Sequence, residues 1–282
     1  MKFGDYRVEV VSDCEFRLDG GAMFGVVPRN LWSKACPPDE QNRIRMNMNC
    51  LFIEGNGERI LIDTGIGEKW SDKHRAMYGI NRKRSFAESL RAVAGVGPDD
   101  ITIVINTHLH FDHAGGNTSM DAFGKAVPAF PNARYFVSRA EYENAEAPSE
   151  RDRASYFSDR FVPITEASQW QFVDGDVEIL PGISVMRIPG HNADIQAVKI
   201  SGRDRSIVYV ADLIPTRHHL PLAWVTGYDL YPLQSLETKR KRIAEIVSQG
   251  WIVAFGHDPD YPAATLHDRN GKIEFEPVEF NG

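Results

Sequence analysis

The stretch that constrains this 282-residue chain most runs from Ile101 to Gly116. Ile101 to Ile105 is a short, β-branched, apolar run, the pattern of a strand buried on both faces. Directly after it comes Thr107-His108-Leu109-His110-Phe111-Asp112-His113-Ala114-Gly115-Gly116. Four potential metal ligands fall within six residues of a chain that has nine histidines, so a chance cluster in a polar loop is a poor account of them. If the strand stays extended, His108, His110 and Asp112 face one side while Leu109 and Phe111 anchor the other in the core. A turn at His113 then adds a fourth ligand, and Gly115 and Gly116 free the backbone to turn tightly into a helix. Imidazole nitrogen with carboxylate oxygen suits zinc, and also iron or manganese.

Around this stretch the chain alternates strand pairs with helices. Tyr6 to Val11 reads as a strand, and Leu18 to about Arg45, with Gly20, Gly21, Pro28, Pro37 and Pro38, as a long loop of the kind that often carries function. Met48–Ile53 and Arg59–Asp63 flank Asn56-Gly57, a hairpin signal. Phe86 to Ala94 has helical spacing, stopped by Gly95. A strand at Arg134–Val137 and helices at Ala140–Ala147 and Asp152–Phe161 follow, then hairpins at Asp176–Ile188 and Ala197–Val210. Leu213 to Tyr231 is again irregular. Leu236, Ile243, Ile246 and Val247 give one helical stripe ended by Gly250, and Trp251–Phe255 is the last clear strand. The pattern is that of a layered α/β (α+β) chain, with one domain over residues 1–282.

Composition narrows the function classes. A formal net charge of −7 without a basic tail argues against nucleic acid and anionic membrane as partners. Of the basic runs, Arg82–Arg84 and Lys239–Arg242, the second lies on a helix and reads as a solvated face. No stretch approaches the ~20 apolar residues that span a bilayer, and the start lacks a signal-peptide core, so a reducing cytoplasm is the simplest compartment. Cys14, Cys36 and Cys50 form no CxxC pair, which argues against a zinc-finger-type thiolate site. The sequence carries no signal for oligomeric state, a homodimer being one option.

HxHxDH after a buried strand, followed by AGG, resembles the signature of the metallo-β-lactamase superfamily, an αββα four-layer sandwich with metals at the strand ends between its sheets. The family's other motifs have counterparts in the expected order: Asp63-Thr64-Gly65, Pro189-Gly190-His191, Asp212 after Val208 to Ala211, and Phe255-Gly256-His257. The resemblance implies that one metal takes His108, His110 and His191, a second takes Asp112, His113 and His257, and Asp212 bridges them. It implies two zinc ions, with iron or manganese as alternatives, and a bridging hydroxide as nucleophile that Asp112 also orients. Asp63 reads as a partner orienting a ligand imidazole. His218 and His219 sit in the second irregular segment; His74 and His267 lie outside every motif.

Ligand identity narrows the subfamily. His110 stands where flavodiiron members carry an acidic residue, and Asp212 where the common β-lactamases lack a carboxylate. Thr107 to Asn117 looks most like the N-acyl-homoserine lactonase and organophosphate hydrolase group, although the turn after His191 departs from that group's pattern. The implied function is hydrolysis of a lactone or other small carboxylic ester. Phosphotriester or phosphodiester hydrolysis and a mononuclear iron persulfide dioxygenase are the alternatives. The two irregular segments are expected to wall the substrate pocket, with Met23, Phe24 and Trp32 from one and His219, Leu220, Trp224, Tyr228 and Tyr231 from the other.

Overall fold

The structure, a computed structural model, describes residues 1–280. β1 (Lys2–Phe3), β2 (Tyr6–Asp19), β3 (Arg43–Gly55), β4 (Glu58–Ile62) and β5 (Ile103–Ile105) are successive neighbours in a first sheet. A small separate hairpin of β6 (Thr118–Met120) and β7 (Ala126–Pro128) follows, and β8 (Arg134–Ser138) and β9 (Trp170–Val173) complete the first sheet beyond β5. The second sheet runs in chain order: β10 (Val177–Leu180), β11 (Ile183–Arg187), β12 (Gln196–Ser201), β13 (Ser206–Tyr209), β14 (Ile252–Ala254), β15 (Ala263–Arg269) and β16 (Lys272–Pro277).

The near-continuous apolar runs reflect strands covered on both faces. In β4, Ile60 and Ile62 point into the core shared with Val185, Val198, Ile207 and Val253 of the second sheet. Leu61, between them, points the other way, toward Phe86 and Leu90 of the helix Phe86–Ala94. That helix is started by a Ser85–Glu88 capping box and stopped by Gly95 in the left-handed region. Ile243 and Ile246 of the helix Pro232–Gln249 join the core from the second sheet's side. The result is the αββα sandwich of the metallo-beta-lactamase fold. Each fully buried branched side chain contributes about 1.5–3 kcal/mol. Among the described residues no helix is long and apolar enough to cross a membrane.

Several sequence expectations are corrected. The span from Leu18 to Arg45 is not one loop: β2 continues to Asp19, the helices Gly20–Phe24 and Arg29–Ala35 follow, and β3 starts at Arg43. The helix expected at Asp152–Phe161 is two single 3₁₀ turns leading into a helix at Val162–Glu166, where Pro163 sits in the first turn, a position that suits it. β15 and β16 lie beyond the strand taken as last, joined at Asn270-Gly271, both with positive φ (58° and 82°). The same turn chemistry at Asn56-Gly57 (52° and 80°) was recognised, because apolar alternation flanks it there. Lys239 is fully buried, contrary to a solvated face: its Nζ donates to the carbonyls of Pro221 and Trp224, both at 2.9 Å.

A candidate metal centre at the strand ends

β4–β5 and β13–β14 are parallel pairs, matched at Ile62 with Ile105 and at Tyr209 with Ala254, so their carboxyl ends lie side by side. The chain leaves these ends into the segments that carry Asp63, His108 to His113, Asp212 and His257, while His191 follows β11 across Pro189-Gly190. The histidine segment is not extended: β5 ends at Ile105, and residues 106–114 form turns closed by a reciprocal Asn106–Asn117 side-chain pair (2.9 and 3.2 Å). Leu109 and Phe111 anchor it as expected, but in two different apolar clusters.

Gly115 and Gly116 lead into a 3₁₀ turn and β6 rather than a helix, and their role is close approach rather than a special φ. A Cβ on either would collide with the carbonyls of Ile66 and Thr64 in the loop after β4. That contact lets Thr64 N–H donate to His113 O (2.8 Å) and locks the two loops together.

Two groups of side chains gather at this end: His108, His110, His191 and Asp212, and beside them Asp112, His113 and His257. Within each group, one ligand atom per residue lies within 4.8 Å of the others. Asp212 stands between them. Its Oδ1 is 3.0 Å from His257 Nε2 and 3.2 Å from His113 Nε2; its Oδ2 is 3.3 Å from His191 Nε2 and 3.9 Å from His108 Nε2. Asp112 Oδ2 is 3.7 Å from His257 Nε2.

This arrangement makes poor sense as a hydrogen-bond network. His108 Nε2, His110 Nε2 and Asp212 Oδ1 are buried without a hydrogen-bond partner. Ring nitrogens also face each other, His113 Nε2 against His257 Nε2 at 3.1 Å and His191 Nε2 against His110 Nδ1 at 3.1 Å. Buried polar atoms left so cost about 1–3 kcal/mol each, and cations among them convert the lone pairs into ligands. Burial, with the neighbouring imidazoles, holds the pKa of His108 and His110 well below the usual histidine range, the neutral form that a metal needs. Burial opposes charge on His113 too, but Asp212, Asp112 and Asp63 outweigh it and raise its pKa. The donor set therefore fits metal ions.

Four of the five rings, all but His110, are also held from behind. His108 Nδ1 is 3.0 Å from Thr107 Oγ1, His113 Nδ1 is 2.7 Å from Asp63 Oδ2, His191 Nδ1 is 3.0 Å from Asp229 Oδ1, and His257 Nδ1 is 3.1 Å from Asn47 O. Such partners fix ring orientation and tautomer. Asp63 further accepts from the Thr107 backbone N–H (2.8 Å) and hydroxyl (2.9 Å). Asp63 (φ 55°) and Ala211 (φ 44°), which aims Asp212, are both non-glycine residues in the left-handed region, a strain that clusters at functional sites.

Thr107 was read only as part of the motif, without this role, while Asp229 and Asn47 carried no motif and escaped sequence reading. So did Glu141, which lies beneath the histidine segment and accepts from Leu109 N–H (2.8 Å), Asn192 Nδ2 (2.7 Å) and Tyr156 OH (3.1 Å). Burial pushes its carboxyl up to about 8 against those donors.

A cavity of about 140 Å³ opens over the cluster, with His110, Asp112, His191, Asp212 and His257 at its floor. Met23 and Tyr228 line its wall, joined by Leu18, Met46, Tyr78 and Phe111. Phe24, Trp32, His219 and Trp224, expected on that wall, do not line it. They stack on one another behind it: Phe24 lies 4.7 Å from His219 and 5.5 Å from Trp32, nearly parallel to both, with Trp224 edge-on at 5.6 Å. His219 is fully buried, its Nε2 2.9 Å from Met23 O, and burial lowers its pKa to about 3. Leu220 is also buried, and Tyr231 is exposed outside the cavity. His218 is half-buried, while His74 and His267 lie away from the site.

The profile of the Metallo-beta-lactamase superfamily matches residues 44–257. An N-acyl homoserine lactonase from Bacillus cereus is 29% identical over 234 residues, which span 77% of this chain and 83% of that protein. A solved structure of a probable metal-dependent hydrolase from Staphylococcus aureus matches with a TM-score of 0.90 and 30% identity, over 99% of both chains. A dizinc quorum-quenching lactonase has the same fold, with a TM-score of 0.82 at 21% identity over 100% of this chain and 97% of that one. The chain belongs to the metallo-beta-lactamase superfamily. Within it, the chain is a metal-dependent hydrolase, its His and Asp side chains grouped for divalent metal.

Proposed function

We propose that this protein hydrolyses small uncharged carboxylic esters, lactones of the N-acyl homoserine type foremost, with two zinc ions in the paired clusters. The observation that carries the reading is Asp212, one carboxylate within 3.0–3.9 Å of imidazoles in both groups, at the floor of a cavity whose wall is largely apolar. The curated lactonase relatives support the substrate class. His108, His110 and His191 would hold the first ion, Asp112, His113 and His257 the second, and Asp212 would span them. Bound, the ions bring the pKa of coordinated water from about 15.7 toward ~7 and polarise the ester carbonyl.

The chain's own side chains then complete the reaction. Asp112, at the floor, accepts the proton of the attacking water on a carboxylate oxygen. It returns that proton to the alkoxide oxygen released when the acyl C–O bond breaks. The buried wall limits competing water, and Phe111 fixes Asp112 by packing against Trp70 (5.6 Å) and Tyr78 (4.9 Å). We place the enzyme in the reducing cytoplasm, where its three unpaired cysteines are stable as thiols.

The test pairs elemental analysis with turnover of acyl homoserine lactones, aryl esters, paraoxon and bis-nitrophenyl phosphate. Two zinc ions per chain and a preference for lactones are expected. A single iron, or lactone rates no higher than those of the metal-free protein, sinks the reading; a preference for paraoxon would move it to phosphotriesters.

A further inference from the structure

The buried tyrosines each have an acceptor or partner in the protein: Tyr6 donates to Pro181 O (2.8 Å), Tyr135 to Asn117 O (3.2 Å), Tyr156 to Glu141 (3.1 Å) and Tyr209 to Asn49 O (3.0 Å), while Tyr142 meets Thr165 Oγ1 (2.7 Å). Tyr78 and Tyr228 are different. They come from separate segments, the end of the helix Asp72–Met77 and the loop after β13, and both line the cavity over the candidate metal centre. Neither hydroxyl has a hydrogen-bond partner among the described residues.

The Tyr78 ring is held in place, and the backbone beside Tyr228 is anchored, although Tyr228 itself is 39% exposed. Tyr78 packs on Phe111 (4.9 Å) and Trp70 (5.4 Å), and its carbonyl accepts from Arg17 N–H (2.7 Å). Tyr228 is flanked by fixed backbone: Gly227 N–H donates to Ala22 O (2.7 Å), and Arg151 holds the Gly227 carbonyl (2.8 Å). A phenol titrates near ~10, so both hydroxyls stay protonated and donate across the neutral range. No Lys or Arg lines the cavity, and the hydroxyl of Thr226 is already given to Asp229 (2.7 Å). Two neutral donors on opposite segments beside a carboxylate suit an uncharged acceptor such as an amide carbonyl, and disfavour an anion.

We propose that the hydroxyls of Tyr78 and Tyr228 determine specificity by holding a second, neutral acceptor oxygen of the substrate while its ester carbonyl meets the floor of the cavity. The inference rests on the hydrolase reading above and adds two residues to it. The substrate is then an ester bearing an amide or keto oxygen, with its apolar end against Leu18, Met23 and Met46.

The test compares the zinc-loaded enzyme with Tyr78→Phe, Tyr228→Phe and the double variant on two substrates. N-hexanoyl homoserine lactone carries the second acceptor; γ-nonalactone has an alkyl tail alone. Each single variant is expected to raise KM for the amide-bearing lactone about five- to tenfold, with kcat changing little and γ-nonalactone unaffected. Equal changes on both substrates, or none on either, would overturn the proposal. Calorimetric binding of the unreactive amide N-cyclopentyl hexanamide gives a second readout that does not depend on turnover. Binding that weakens by the same factors in the variants supports the proposal even if lactones are not the substrate. Undetectable binding to the unsubstituted protein, or binding unchanged in the double variant, rejects it even if lactones are hydrolysed.

Discussion

The floor and the wall of the cavity are held by different forces. The floor is polar and held by pairs: His108, His113, His191 and His257 each have a second contact within 2.7–3.1 Å, and Asp212 touches both groups. The wall is held from behind by an apolar stack, in which Phe24 lies between Trp32 and His219 and never meets the cavity. Damage to the floor should therefore show in metal content at nearly constant stability of the metal-free protein. Damage behind the wall should show in stability at nearly constant chemistry. Substitutions on each side test whether that division is real.

The largest effect belongs to the floor. Asp212→Ala removes the one carboxylate shared by both groups, and with it the foremost of the carboxylates that raise the pKa of His113. Both ions are expected to bind weakly, with kcat/KM falling on the order of a thousandfold or more. Elemental analysis after desalting, read beside lactone turnover, checks this; full occupancy with full activity removes the bridging role.

Next in size is Phe24→Ala, behind the wall. A buried phenylalanine truncated among three aromatic rings costs about 3–5 kcal/mol, read as a lower urea midpoint. Zinc content and kcat of the folded fraction should stay within about twofold, since nothing on the floor loses a partner. If kcat instead collapses while the midpoint holds, the stack meets the substrate after all and the two regions are one.

A smaller effect is expected from the contacts behind the rings. Asp63→Asn and Asp229→Asn keep size but lose the charge that orients His113 and His191. Zinc affinity should fall roughly 10- to 100-fold, measured by competition with a chromophoric chelator, and the thermal stability of the metal-free protein should barely move. An unchanged affinity in both variants would leave the second contacts without a function.

The same division explains what the sequence disclosed. His108, His110, Asp112 and His113 are legible because four ligands crowd into six residues, and His191, Asp212 and His257 because each follows a readable strand in a fixed order. The strands are legible from β-branched runs and from Asn56-Gly57, while their division into two sheets was implied by the family resemblance. Asp229 and Asn47 are not, since a partner that acts through one oxygen needs no local pattern, only a fold that brings it within 3 Å or so. The aromatic residues misled for a related reason. Phe24, Trp32 and Trp224 sit in segments without periodicity, and an aromatic side chain in such a segment can turn to the core as readily as to a cavity. Lys239 shows the limit most sharply. Its neighbours Arg240 and Lys241 are the solvated face that the composition implied, while Lys239 itself is sealed beneath the loop it pins.

Lys239 also yields the smallest and most specific prediction, on the border between the two regions. It is a charge used to hold the wall. Burial lowers its pKa to about 7, although Asp229 works in the opposite direction. In the unfolded chain a lysine titrates near ~10.4. Between those values the unfolded state binds more protons than the folded one, so this residue makes stability rise as pH climbs from about 7 toward ~10. Below about 7 both states are protonated and the cost of burying the ammonium is fully present. Lys239→Met abolishes that slope and leaves the carbonyls of Pro221 and Trp224 without their donor, a loss of roughly 1–2 kcal/mol. Urea unfolding at pH 7, 8 and 9 should therefore show the wild type pulling ahead of the variant as pH rises, with the gap smallest at pH 7. A gap that is flat, or widest at pH 7, would mean that Lys239 is solvated in the folded protein and that the loop lining the cavity is held by its apolar stack alone.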